Sequence, residues 1–273
     1  MSLSIDHALK IAIAAAESAG QILREMLETA SVREKAPKDL VTDADLAAQA
    51  AIEKRIMSEF PSHVFLGEES LIAPEQWEEL SRNEYCWVVD PLDGTVNYVH
   101  QLPNFAVSIA LMRNNQIVLG VVFDPMASEL FTATQGGGSF LNGKGIRASV
   151  VGSLEEAMVA VSFPPQVRRD SIEIQQFIEV LLCSQSIRRL GSAALNLCYV
   201  ANGRLDAYWA NSLKPWDVAG GALIALEAGA ALTGLDRKRF DPWNGNVLAA
   251  ASTSLHEELH KCLEIAKNSG KSN

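Results

Sequence analysis

The stretch WVVDPLDGTVNYVH, residues 87–100, decides how the rest of the chain is read. Trp87, Val88 and Val89 form an apolar run with the composition of a buried strand. The run passes directly into Asp90, a proline and a second carboxylate at Asp93, followed by Gly94 and Thr95. Acids so close together at the end of a buried strand repel each other and lose hydration, so they require a cation or a proton. Pro91 and Gly94 allow the tight turn that presents both aspartates and a backbone carbonyl.

Further acids lie in comparable settings. GEES, residues 67–70, places Glu68 and Glu69 after the apolar SHVFLG. PWDVAGG sets Asp217 at the entry of a helix rich in small residues, and LVTDAD sets Asp45 in the first turn of another. Taken singly, each has a plain structural reading: Glu68 and Glu69 as solvated loop acids, Asp45 as a charge answering the helix dipole, Asp217 as an N-cap. Taken together they suit a hard divalent cation such as Mg²⁺, which takes oxygen ligands and keeps waters that a phosphate can displace.

Around these acids the 273 residues are 48% hydrophobic, enough for a large packed core, with no apolar run long enough to span a membrane. A formal net charge of -10 argues against a nucleic-acid-binding face and agrees with a cation site. The opening MSLSIDHALK lacks a basic region followed by an apolar block, so no secretory signal is expected. Cys86, Cys183, Cys198 and Cys262 have no CxxC spacing and read as reduced thiols of a cytoplasmic protein.

Helical spacing covers residues 5–29 and the stretch after Thr42, with a loop containing Pro37 between them. From about 85 to 135, YCWVVD, NFAVSIALMR, IVLGVVF and ELFTAT read as successive antiparallel strands, with Asn114-Asn115 at a hairpin tip. After Val150 strands and helices alternate, giving two sheet-centred halves, 1–150 and 151–273, that share a large interface.

WVVDPLDGTVNYVH and KPWDVAGGALIALEAGA resemble the two signatures of the inositol monophosphatase family. GEES, LVTDAD, LPNFAVSIAL, NGKGIRAS and GSAALNLCYVANGRLDAYW follow in that family's order, so the resemblance covers essentially the whole chain. It implies an α+β fold layered αβαβα, with an N-terminal antiparallel sheet and a C-terminal mixed sheet. The implied activity is Mg²⁺-dependent, lithium-sensitive hydrolysis of a phosphate monoester by water, with inositol 1-phosphate as the first substrate to consider. Fructose 1,6-bisphosphate, histidinol phosphate and a nucleotide 3′-phosphate are alternatives, as is a mainly macromolecule-binding family member.

By the same resemblance, Glu68, Asp90 and the carbonyl of Leu92 hold a first metal, and Asp90, Asp93 and Asp217 a second, with two or three Mg²⁺ per site. Thr95, bonded to Asp45, acts with Glu68 to orient and activate the attacking water. The N–H groups of Gly94 and Thr95 hold the phosphate, while Asp93, Asp217 and Gly191, Ser192 and Ala193 line the substrate. A homodimer is expected, with no nucleic-acid or membrane partner. One position departs from the pattern. Ala210 stands where members that prefer inositol phosphates carry a glutamate, which removes an acceptor from the leaving-group pocket.

Three other matches are set aside. HEELH, residues 256–260, fits a zinc motif but has no evident third ligand. GSFLNGKG, residues 138–145, nearly fits a phosphate-binding loop, yet Gly145 replaces the required Ser or Thr, and a glycine-rich turn is expected. DRKRF, residues 236–240, reads as a solvated basic loop.

Overall fold

The computed structural model describes residues 3–70 and 74–269. Alanine, isoleucine and leucine at helical spacing bury one side of α1 (Ile5–Met26), and Ser4 caps its start by accepting from the His7 N–H. The Pro37 segment, expected as a loop, is a hairpin of β1 (Val32–Ala36) and β2 (Asp39–Thr42). All of β1 is exposed, so it carries no polar-apolar alternation to betray it. Helix α2 (Asp43–Glu59) opens with a reciprocal cap: Thr42 Oγ1 accepts from the Ala44 and Asp45 N–H groups, and Asp45 Oδ2 accepts from the Thr42 N–H.

The first sheet takes seven strands in chain order: β3 (Val64–Gly67), β4 (Tyr85–Asp93), β5 (Ala106–Arg113), β6 (Gln116–Asp124), β7 (Glu129–Thr134), β8 (Gly138–Leu141) and β9 (Lys144–Gly145). Neighbours run antiparallel except β3 and β4, which run parallel through a crossover that includes α3 (Pro74–Ser81). A short α4 (Thr95–Val99) follows β4. Asn114 and Asn115, at φ 48° and 62°, form the expected two-residue hairpin turn. GSFLNGKG is the β8–β9 hairpin, as its glycines suggested.

The second sheet has the order β11-β10-β12-β14-β13 and is mixed: β10 (Met158–Ser162) pairs in parallel with β11 (Ser186–Arg188) and β12 (Ala207–Ala210). β14 (Val247–Ala250) lies antiparallel to β12 and to β13 (Ala231–Thr233). Four helices flank it: α5 (Ile172–Cys183), α6 (Ala193–Ala201), α7 (Pro215–Glu227) and α8 (Thr253–Ser269).

Strand alternation sorts these elements into five layers. Trp87, Val89, Ile109, Leu111 and Val121 face α1 and α2. Ala106, Val122 and Phe131, from the other face of the first sheet, share a core with α6, α7 and Ala160, Tyr208, Ala210 and Ala249 of the second. Val159, Val161, Trp209 and Leu248 face α5 and α8. The result is the αβαβα sandwich, with both sheets packed on the central α6–α7 layer. Helix α7 lies unusually close to the first sheet: a Cβ added at Gly120 of β6 would sit 2.5 Å from the carbonyl oxygen of Gly220.

Among the described residues, no helix is long and apolar enough to cross a membrane. Cys86, Cys198 and Cys262 are buried, Cys183 is exposed, and all four are free thiols. In HEELH, His256 is buried with Nε2 2.9 Å from Thr233 Oγ1, and His260 lies 3.9 Å from Glu264.

Candidate active site

Strand β4 carries Asp90 and Asp93 at its C-terminal end, where its register with β5 slips between those two residues. The slip is the tight turn that Pro91 allows. The Leu92 N–H donates back to Asp90 Oδ1 at 2.9 Å, which fixes the carboxylate and leaves Leu92 buried beneath it. Asp90 is 2% exposed. Its pKa is driven well above the usual carboxylate range, first by burial and then by the charges of Glu68, Asp93 and Asp217.

Asp93 has a different environment. Ser192 Oγ donates to Oδ2 at 2.6 Å, the Ala194 N–H to the same oxygen at 2.7 Å, and the Ala193 N–H to Oδ1 at 3.2 Å. The carboxylate thus seats on the N-terminus of α6, where partial positive charge favours it. Burial still raises its pKa to about 6, against the lowering by Ser192 and the two N–H groups. Asn97, within the opening motif, donates to the carbonyls of Leu190 and Asn104 at 2.8 and 2.7 Å and holds the Gly191 turn against α4. The Gly191–Ala193 stretch, expected to meet substrate, therefore has Ser192 and Ala193 bonded to Asp93.

Glu68 and Glu69 follow β3, beside the end of β4, and are not solvated loop acids. The Glu68 N–H donates to Val89 O at 3.0 Å, and the Glu69 N–H donates to Gln49 Oε1 at 2.8 Å. Lys35, from exposed β1, bonds Glu68 at 3.1 Å and Glu69 at closer range. Burial works to lower the Lys35 pKa, but the two glutamates outweigh it and raise it. Burial lifts Glu68 to about 7 in spite of Lys35. Nothing in the sequence marks Lys35; only its proximity to Glu68 across the fold does.

Asp45 is completely buried, and burial raises its pKa to about 6. It accepts from Thr42 Oγ1 at 2.6 Å through Oδ2 and lies 3.3 Å from Thr95 Oγ1 through Oδ1. It is at once the third residue of a helix cap and the partner of Thr95. Thr95 Oγ1 has one proton and a second acceptor in reach, the Leu92 carbonyl at 3.1 Å. Gly94 sits at φ 101°, and a Cβ there would also press on Asn104 O at 3.1 Å, so only glycine suits this turn. The turn leaves the first N–H groups of α4 without intrahelical partners.

Asp217 is not the N-cap of α7. Lys214 takes that place, Pro215 is the first helical residue, and Asp217 reaches back from the first turn to accept the Lys214 N–H at 2.7 Å. Its pKa is driven well up by burial and by Glu68 and Asp93. Ala210, at the end of β12, is fully buried and faces the α6–α7 layer.

The donor set fits a hard divalent cation in kind: carboxylates and a carbonyl, all oxygen, with Glu68, Asp90, Asp93 and Asp217 sensing one another's charge. Such a set cannot remain ionised without positive charge, and Lys35 and Lys214 supply only part of it. In this conformation, among the described residues, no three His, Cys, Asp or Glu side chains are gathered closely enough to enclose one ion. Their oxygens are held instead by backbone N–H groups, Ser192 and Lys35.

The layered αβαβα fold, with Glu68, Asp90, Asp93 and Asp217 brought within reach of one another's charge from β3, β4 and α7, defines a class of layered proteins whose acids converge at the strand ends. The inositol monophosphatase family model matches residues 4–268, and the chain belongs to that family. Among its relatives, an inositol monophosphatase 3 of Solanum lycopersicum is 39% identical over 95% of this chain and 97% of its own length. A protein of Pseudomonas aeruginosa named Nus factor SuhB is 41% identical over 82% of this chain and 84% of its own. The solved inositol monophosphatase of Anabaena (Nostoc) sp. PCC 7120 superposes with a TM-score of 0.84 at 36% identity, over 96% of each chain.

Proposed function

We propose that this protein is a Mg²⁺-dependent phosphomonoesterase, with inositol 1-phosphate as its first substrate. The observation that carries the reading is Asp90: a carboxylate 2% exposed, facing the charges of Glu68, Asp93 and Asp217 together. Holding four mutually repelling acids around a buried carboxylate has no structural benefit, and a divalent cation removes the cost. Glu68, Asp90 and the Leu92 carbonyl would hold one ion, and Asp90, Asp93 and Asp217 another, with two or three ions per site. Bound magnesium supplies positive charge that makes water a nucleophile at neutral pH and neutralises the leaving oxygen.

The chain's own groups set the geometry. The N–H groups of Gly94 and Thr95 orient the phosphate. With the Thr95 proton directed to Asp45, a lone pair on Thr95 Oγ1 accepts from the attacking water and aims it. Glu68 at the rim accepts the water's proton. The new bond joins water oxygen to phosphorus as the bond to the alcohol oxygen breaks. No cysteine or histidine lies in the set, which favours direct attack over a covalent phosphoenzyme.

Phosphate release from a panel of monoesters, with and without Mg²⁺ and Li⁺, tests this reading and ranks the alcohols. Mg²⁺-dependent, Li⁺-sensitive release supports it. No release from folded, Mg²⁺-loaded protein on any substrate contradicts it. Ala210, with a methyl where inositol-preferring members carry a carboxylate, directs attention to the other phosphates named above.

The relatives named Nus factor SuhB favour a second reading, in which the family fold serves a macromolecular partner and phosphatase activity is secondary. That reading reopens nucleic-acid-containing assemblies as partners, which net charge alone had argued against. A stoichiometric partner recovered on an Asp93→Asn variant would support it. We further propose a cytoplasmic homodimer. The halves 1–150 and 151–273 form one folding unit, supported by the core they share on α6 and α7.

A further inference from the structure

Strands β11, β10 and β12 run parallel, so their C-terminal ends lie together at one end of the second sheet. Short loops lead from β11 to α6 and from β12 to α7, which starts both helices at that same end. The starts of these helices hold acids of the site: Asp93 seats on Ser192 and the first N–H groups of α6, and Asp217 lies in the first turn of α7. Open sheets of this kind receive ligands in the crevice outside the C-terminal strand ends.

Ser162 is the last residue of β10 and pairs with Ala210, the last residue of β12. By alternation it shares the face of Ala160, Tyr208 and Ala210, which pack toward α6 and α7, whereas Val159, Val161 and Trp209 face α5 and α8. Ala160, Tyr208 and Ala210 are fully buried, and Ser162 is half-buried. Across the pair, Ala210 contributes a methyl group, which offers the Ser162 hydroxyl no hydrogen bond.

That hydroxyl is held from beneath. The Tyr208 hydroxyl donates to Ser162 Oγ at 2.9 Å. Burial raises the Tyr208 pKa against the lowering by Ser162, and the nearby charges of Asp93 and Asp217 raise it further, so Tyr208 remains a donor. Asn196 of α6 is fully buried, has neither amide atom in a regular hydrogen bond, and lies against the same Tyr208 hydroxyl. An amide buried without fixed partners is costly, and here it gives the Tyr208 proton a second acceptor. With that proton toward Ser162, Ser162 donates outward; with it toward Asn196, Ser162 donates to Tyr208 and accepts outward. The pair thus answers a hydroxyl group, which is itself both donor and acceptor.

We propose that Ser162 selects the alcohol half of the substrate: its hydroxyl, positioned by Tyr208, bonds a substrate hydroxyl and favours phosphate monoesters of polyols over those of alcohols with no second hydroxyl. This inference rests on the phosphomonoesterase reading given above. Tyr208 is a positioning residue, because it acts through Ser162.

Phosphate release by the full chain with Mg²⁺ tests the assignment on matched esters: inositol 1-phosphate against cyclohexyl phosphate, and glycerol 2-phosphate against isopropyl phosphate. The wild type is expected to favour the hydroxylated ester of at least one pair. In Ser162→Ala the kcat/KM ratio of that pair should fall about three- to tenfold, the worth of one neutral hydrogen bond, with the change mainly in KM. Ser162→Thr keeps the hydroxyl and should keep most of the preference. Tyr208→Phe should lower the ratio in the same direction; Ser162→Ala, a small change at a half-buried position, decides the matter if Tyr208→Phe fails to fold. A ratio unchanged in Ser162→Ala, an equal loss on both esters of a pair, or a wild type that favours neither hydroxylated ester would overturn the proposal and leave the phosphomonoesterase reading standing. No release from any of the four esters by folded, Mg²⁺-loaded protein would overturn both.

Discussion

Replacing Gly120 with alanine tests how closely α7 must lie on the first sheet for Asp217 to serve its site. The added Cβ would lie 2.5 Å from Gly220 O, about 0.9 Å short of the 3.4 Å at which ordinary contact begins. The neighbour is backbone inside a helix and cannot rotate away, so α7 must move off β6 by most of that distance. Asp217 precedes Gly220 by less than one turn and moves with it. Overpacking of this kind costs about 1–3 kcal/mol, or about 2–10 °C in melting temperature for a chain of this size. A displacement approaching 1 Å in a catalytic constellation costs on the order of 10²-fold in rate. Circular dichroism should therefore show a folded variant with a modestly lower melting temperature. Phosphate release at saturating Mg²⁺ should fall by roughly two orders of magnitude. Gly145→Ala, where the added Cβ meets nothing within 4 Å, is the neutral control. A folded Gly120→Ala protein with wild-type turnover would refute the claim that this close contact sets Asp217.

Three further substitutions examine other parts of the account. Ser192→Ala removes both the donor to Asp93 and the cap accepting from the Leu195 N–H, so denaturant unfolding should show a loss of about 2–3 kcal/mol and turnover should fall about tenfold or more. Ala210→Glu should raise kcat/KM for inositol 1-phosphate relative to the other phosphates on the panel, and an unchanged ranking would remove Ala210 from the specificity argument. His256 tests pH dependence away from the acids. Burial, then His260 and Arg237, lower its pKa below 6.5, so the unfolded chain binds its proton more readily than the folded one. Its contribution to stability is complete above about pH 6.5 and is lost as pH falls through the lowered value. Melting curves of His256→Gln should therefore be flatter across that window than those of the wild type.

What could be read from the sequence was local. Asp90 and Asp93 announce themselves because an apolar strand, a proline and a glycine lie within one short stretch. Thr42 and the Asn114-Asn115 turn are legible for the same reason. Pro215 at the first helical position signals in the sequence that Asp217 lies inside the helix and not at its cap. What remained hidden was contact between distant residues. Lys35 meets Glu68 33 positions along the chain, and Ser192 meets Asp93 99 positions before it, with no periodicity to predict either. The parallel β3–β4 pair was hidden because strand composition alone does not fix direction.

The most direct test of the central claim is phosphate release from inositol 1-phosphate by the wild type and Asp90→Asn, each titrated with Mg²⁺ after chelation. The account predicts no release without Mg²⁺, saturable release with it, and a loss of at least about 10³-fold in Asp90→Asn that added Mg²⁺ does not restore. Release by the chelated wild type, or near-normal release by Asp90→Asn, would contradict the reading of these strand-end acids as a metal cradle.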